Sequence, residues 1–140
     1  MSSYDFSPLC TPLASNSVLT TVILDLVENA KKSNQLKLGV NEAAKCLNRS
    51  IAEIIILAAD AQPVELLGHI PLLCEDKNVP YVFVVSKNAL GKAAGRKETV
   101  HADGTIVMKP VICATITTND TSSLKSDIQS VKIKIESLLM

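Results

Sequence analysis

The sequence predicts an α/β protein, a single-domain α/β/α sandwich with a mixed four-stranded sheet. Three observations lead there. Apolar residues recur at helical spacing near both ends of the chain, as expected of amphipathic helices. Two short continuous runs, Ile54 to Ala59 and Tyr81 to Val85, have the composition of strands covered on both faces. Helical and strand-like segments alternate throughout, and helices on both sides of one buried sheet are the economical way to pack that order.

Residues 1 to 16 contain Pro8 and Pro12 without any period and read as an extended N-terminal arm. Val18, Leu19, Val22, Ile23, Leu26 and Val27 then predict a first amphipathic helix running to Lys31-Lys32. A short strand over Gln35 to Leu38 leads through Gly39 into a helix from about Asn41 to Leu47. Ile54 to Ala59 is a strand ended by Asp60-Ala61-Gln62-Pro63, and Val64 to Asp76 reads as one or two short helices broken near Gly68 and Pro71. After Asn78 to Pro80, the strand Tyr81 to Val85 precedes a helix from Lys87 to Ala94, capped by Ser86 and ended by Gly95. Arg96 to Met108 contains Asp103-Gly104 and reads as a loop or a small hairpin. Val111 to Thr117 is a further strand, and Leu124, Ile128, Val131, Ile135 and Leu138 step by four and three in a closing helix.

With 47% hydrophobic residues in 140, the chain can bury a substantial core as one domain. It has no apolar run long enough to span a membrane and no basic flank followed by an apolar stretch at its start, so a soluble intracellular protein is expected. Cys10, Cys46, Cys74 and Cys113 are widely spaced, without a C-x-x-C pair and with only two histidines. That pattern suggests buried, reduced thiols, with no metal site and no cofactor. Net charge is zero, which argues against a polycation that grips any phosphate backbone. The distribution is uneven. Lys31, Lys32, Lys37, Lys45 and Arg49 face Glu42 alone across one segment, and Lys87, Lys92, Arg96 and Lys97 stand unopposed in another. These are either ordinary solvated faces or, if the fold brings both segments together, one basic face.

The chemistry concentrates at Leu38 to Lys45. A glycine there allows close backbone approach, and the first turn of a helix offers unpaired N–H groups and a positive dipole end to a phosphate. Asn41 and Lys45, four apart, share a face with Glu42 beside them, so an amide, a carboxylate and an amine gather where base edges can be read. The aromatic side chains are only Tyr4, Phe6, Tyr81 and Phe83, with the last two expected in the core. That excludes an interleaved stacking platform of the kind used by sheet-surface readers and single-strand channels, so recognition of folded RNA would have to come from helix ends and loops.

Gly39 to Lys45, Leu57-Ala58-Ala59-Asp60-Ala61, Leu72 to Val84 and Ser86 to Gly91 together resemble, in that order, the kink-turn RNA-binding family of ribosomal and small nucleolar RNP proteins. The resemblance covers nearly the whole chain beyond the arm, making 17–140 a kink-turn RNA-binding domain with an inserted loop at about 96–108. It is strongest to the eukaryotic branch that binds the U4 snRNA 5′ stem-loop and box C/D snoRNAs. It implies that Gly39, Val40, Asn41, Glu42 and Lys45 meet tandem sheared G·A pairs, where a carboxylate accepts from guanine N–H groups and Lys45 and Asn41 donate to O6 or N7. It places a flipped-out uridine near Gln62, Leu66, Lys87, Lys109 and Ile112. Arg49 and Lys37 would hold phosphates without reading sequence.

Implied too are a nuclear and nucleolar location and a role in nucleating the U4/U6.U5 tri-snRNP and box C/D snoRNPs, for pre-mRNA splicing, rRNA processing and 2′-O-methylation. The implied partners are those RNAs and the snRNP and snoRNP proteins that recognise the joint protein and RNA surface. No membrane partner is implied, and the protein should be a monomer without RNA. A ribosomal large-subunit or H/ACA relative, or a protein-interaction domain on the same fold, are the alternatives. The chain departs from the family pattern at Gln62, where glutamate is usual, at Lys109, where arginine is expected, and in the length of the segment between Gly95 and Pro110. A glutamine carbonyl still accepts from uracil N3–H.

Catalysis is not expected. Glu65 and His69 lie four apart near Asp60 and Cys74 but lack a third partner at recognisable spacing, and His101 falls in the insertion. Gly91 to Gly95 does not have the spacing of a phosphate-gripping loop.

Overall fold

The computed structural model describes residues 13–14, 17–60, 67, 69–95, 97–100, 102–104, 106–108, 110–118 and 124–137. In chain order the elements are β1 (Leu13–Ala14), α1 (Ser17–Lys32), β2 (Leu36–Leu38), α2 (Val40–Asn48), β3 (Ala52–Ala58), α3 (His69–Lys77), β4 (Tyr81–Val84), α4 (Lys87–Ala93), β5 (Lys97–Val100), β6 (Ile106–Met108), β7 (Cys113–Thr117) and α5 (Lys125–Ser137). The main sheet has the order β1-β4-β3-β7-β2. β4 runs parallel to both β1 and β3, while β7 is antiparallel to both β3 and β2. The carboxyl ends of β2, β3 and β4 therefore meet at one end of the sheet, beside the start of β7.

β3 alternates between two cores because successive side chains of a strand point to opposite faces. Ile54, Ile56 and Ala58 pack with Ile23, Val27, Leu90, Val131 and Ile135 of α1, α4 and α5. Ile55, Leu57 and Ala59 pack with Ala43, Leu47, Ile70 and Cys74 of α2 and α3. Burial of each such isoleucine contributes about 1.5–3 kcal/mol, and it is this two-sided cover that makes an unbroken apolar run the right sequence for the strand.

Three details correct the sequence reading, and a fourth decides between two of its alternatives. Leu13–Ala14, read as part of an extended arm, pairs with Phe83 and Val84, so the four main strands gain a two-residue edge strand. Pro71 does not break α3, because it sits in the first turn, where its missing N–H would have had no partner within the helix. Of the loop and the small hairpin expected over Arg96 to Met108, the second is found: β5 pairs antiparallel with β6 as a separate two-stranded sheet, with exposed Ala102, Asp103 and Gly104 between them. Phe83 is core, but Tyr81 is only half-buried, edge-on to Phe83 with ring centroids 6.4 Å apart, and its hydroxyl donates to Glu75 Oε1 at 3.0 Å.

At the far end of the sheet, Lys132 and Thr118 both donate to the Glu53 carboxylate. Partial burial works against its ionisation, but these bonds outweigh it and hold the Glu53 carboxyl below its ordinary range. Cys46, Cys74 and Cys113 are buried free thiols, and burial pushes Cys74 and Cys113 up to about 12. Among the described residues no helix is long and apolar enough to cross a membrane.

Candidate nucleic-acid interface

In open α/β sheets, ligands bind outside the carboxyl ends of the strands. Here that end is built by Gly39 after β2, Asp60 after β3, Ser86 and Lys87 after β4, and Ile112 before β7.

Gly39 has φ 98° and ψ 157°, a region open essentially to glycine alone. An added Cβ would meet nothing within 4 Å, so conformation rather than space demands the glycine. Its N–H donates to the Cys113 carbonyl at 2.9 Å, pinning the turn to β7, and its carbonyl accepts from Ala43 as the first α-helical bond. No side chain caps α2. The N–H groups of its first turn, Val40, Asn41 and Glu42, therefore have no acceptor inside the helix and point out from its positive end.

Ala43, Cys46 and Leu47 bury the inner face of α2, and Val40 packs half-buried against the same core. Asn41, Lys45 and Arg49, spaced by four, are left exposed as one stripe. Glu42 and Lys45 keep 45% and 60% of their side chains exposed, with Lys45 Nζ 3.6 Å from Glu42 Oε1. A pair this exposed is worth about 0–1 kcal/mol, too little to lock either group away from a ligand. It holds a carboxylate acceptor and an ammonium donor side by side next to the open helix start.

α4 begins at the same end in the opposite condition. Ser86 Oγ accepts from the Ala89 N–H at 3.2 Å, and Asp60 Oδ1 accepts from the Lys87 N–H at 2.8 Å. The Lys87 carbonyl accepts from Val111 N–H at 3.1 Å, the Ile112 carbonyl from Ala58 N–H at 2.9 Å, and the Cys113 carbonyl from Gly39 N–H. Half-buried Lys87 and Ile112 are thereby joined to the α2 start through one hydrogen-bonded path. Asp60 is the residue the sequence reading missed, having taken it as a strand-ending turn. The available signal was an acid directly after a buried strand, but its partner lies 27 positions away.

Lys37 projects from the outer strand β2, exposed, two residues before Gly39. The two basic segments converge only in part. Lys31 Nζ donates to the Gly95 carbonyl at 3.1 Å and thus caps the far end of α4, where Lys92 also lies. Gln62, Leu66 and Lys109 fall outside the described residues.

The model of the ribosomal protein L7Ae/L30e/S12e/Gadd45 family matches residues 21–125. The chain belongs to that family. The 13 kDa ribonucleoprotein-associated protein of Eremothecium gossypii is 55% identical over 134 residues, covering 96% of each chain. Its namesake in Saccharomyces cerevisiae is 54% identical over 134 residues, covering 96% of this chain and 97% of that one. The solved Giardia lamblia 15.5kD RNA binding protein superposes with a TM-score of 0.82 at 41% identity, over 94% of this chain and 98% of that one. A Bacillus halodurans protein of unknown function, 17% identical with a TM-score of 0.58, shares the fold alone. The span matched to the L7Ae/L30e/S12e/Gadd45 family runs from α1 to the start of α5, so it contains the α2 start, Asp60, Lys87, Ile112 and the β5–β6 hairpin.

Proposed function

We propose that this member of the L7Ae/L30e/S12e/Gadd45 family binds kink-turn RNA, with the U4 snRNA 5′ stem-loop and box C/D snoRNAs as its targets. The observation that carries the reading is the uncapped start of α2 beside exposed Asn41, Glu42 and Lys45. Sheared G·A pairs expose guanine donors and acceptors together, and a carboxylate flanked by an amide and an ammonium matches both. The open N–H groups suit a backbone phosphate, and Lys37 and Arg49 add phosphate contacts that set position rather than sequence. Lys87 and Ile112, with Gln62, Leu66 and Lys109, take the splayed base. The relatives, a ribonucleoprotein-associated protein and an RNA binding protein, support the same class.

In this reading the protein is a structural RNA-binding component and not an enzyme, and residues 17–140 are the RNA-binding domain. It acts in the nucleus and nucleolus, nucleating the U4/U6.U5 tri-snRNP and box C/D snoRNPs for splicing, rRNA processing and 2′-O-methylation. Further RNP proteins then recognise the joint protein and RNA surface. The test is a gel-shift titration at fixed salt of a U4-type kink-turn and of the same RNA with its sheared pairs changed to Watson–Crick pairs. Wild type binds only the first tightly. Glu42→Ala weakens that binding by about 2–3 kcal/mol, the scale of hydrogen bonds to a charged group. Weak binding that ignores both changes and collapses with salt would leave only a basic surface.

A further inference from the structure

The geometry points to Asp60 as a positioning residue for recognition of the splayed base, an inference that rests on the kink-turn reading above. Asp60 meets Lys87, one of the predicted base contacts, at its backbone rather than at its ammonium. Its carboxylate is spent inside the protein, accepting from the Lys87 N–H at 2.8 Å at the first residue of α4. With Ser86 Oγ holding the Ala89 N–H, two of the three first-turn donors of α4 have side-chain acceptors. A negative carboxylate at the positive end of a helix is favourably placed and fixes where the helix begins.

From that point the hydrogen-bonded path leads outward. Lys87 accepts from Val111, the next residue's carbonyl Ile112 O accepts from Ala58, and Cys113 O accepts from Gly39. Asp60 thus sets the position of Lys87, and through Val111 that of Ile112, relative to the Gly39 turn. Lys87 and Ile112 belong to the base pocket, whereas Glu42 and Lys45 read the paired region. Loss of the Asp60 bond therefore loosens the pocket, while the α2 start at the far end of that path, where Cys113 is already held in the sheet by β3, keeps its grip.

The experiment measures binding of wild type, Asp60→Ala and Asp60→Asn to a U4-type kink-turn and to the same RNA made abasic at the splayed nucleotide. Asp60→Ala loses about tenfold on the intact RNA and less than about twofold on the abasic one, because the bond it removes supports only the pocket. Asp60→Asn binds like wild type, since its amide carbonyl still accepts from Lys87. Equal losses on both RNAs, or none on either, overturn the assignment.

Should Asp60→Ala fail to fold, the bond is removed from the donor side by comparing Lys87→Pro with Lys87→Ala. The first helical position tolerates proline, and Ser86, at φ −124° and ψ 122°, has the extended backbone a following proline requires. These two variants both lack the lysine and differ in the N–H. Lys87→Pro binds the intact RNA about tenfold more weakly than Lys87→Ala, with the difference absent on abasic RNA. Equal affinities overturn the assignment. A wild type that fails to distinguish kink-turn from Watson–Crick control removes the kink-turn reading and this inference with it. Normal wild-type selectivity with indifferent Asp60 variants overturns the inference alone.

Discussion

α2 and α4 start a few residues beyond the ends of β2 and β4, at the same end of the sheet, yet one start is open and the other capped. α2 begins at a glycine with no side-chain cap, leaving its first-turn N–H groups and its positive end available. α4 begins at Ser86, whose hydroxyl and the Asp60 carboxylate take up two of its first-turn donors. The difference teaches how one fold divides labour between equivalent positions. A surface helix start without a side-chain cap leaves its donors to water, and an outside anion such as a phosphate can replace that water. In the proposed function the capped start serves as scaffold, and the uncapped one meets the RNA.

The comparison breaks most visibly at Gly39. Gly39→Ala forces an L-residue into φ 98°, which costs about 1–3 kcal/mol although nothing crowds the new methyl. Urea denaturation reads that loss, and kink-turn affinity falls with it because the three open N–H groups shift. Ser86→Ala sharpens the contrast. Removing the cap of α4 lowers stability by about 1 kcal/mol in the same assay but leaves the preference for sheared over Watson–Crick RNA intact, since Asp60 still holds Lys87.

Smaller effects separate positioning from reading. Lys37→Gln and Arg49→Gln each reduce the slope of log affinity against log salt by about 1, with unchanged discrimination between the two RNAs, as a salt titration would show. Glu53→Gln, remote from both helix starts, tests whether stability and recognition separate along the sheet. The Glu53 carboxyl is held below its ordinary range, so its contribution to stability is present above that range and fades as pH falls through the folded value. The stability gap between wild type and Glu53→Gln, below about 1 kcal/mol at neutral pH, therefore closes in acid, and RNA binding at neutral pH does not change.

Much of this architecture was legible in local pattern. The unbroken run at β3 announced a strand covered on both faces, and the apolar period of α1 announced its buried stripe, because burial imposes spacing on neighbours in sequence. The open start of α2 was legible too, since a glycine in place of a capping side chain can be read directly. Less local features were not. Leu13–Ala14 joins the sheet only because β4 presents a free edge to it. Pro71 looked like a helix break because its tolerance depends on which turn of α3 it occupies. The pairing of β5 with β6 was one of two readings of a polar segment, as a two-stranded ribbon carries a weak pattern of its own.

The sequence by itself determined the layers, the buried strands and the residue types gathered at Gly39 to Lys45, because each depends on spacing along the chain. Only the tertiary structure decided that Asp60 closes α4, that Lys31 serves the other end of that helix rather than the basic face, and that Ile112 and Lys87 hang from the same path as Gly39. Those bonds join positions as far apart as Gly39 and Cys113. A hydrogen bond at such separation leaves no period in the sequence and exists only once the sheet has brought its strand ends together.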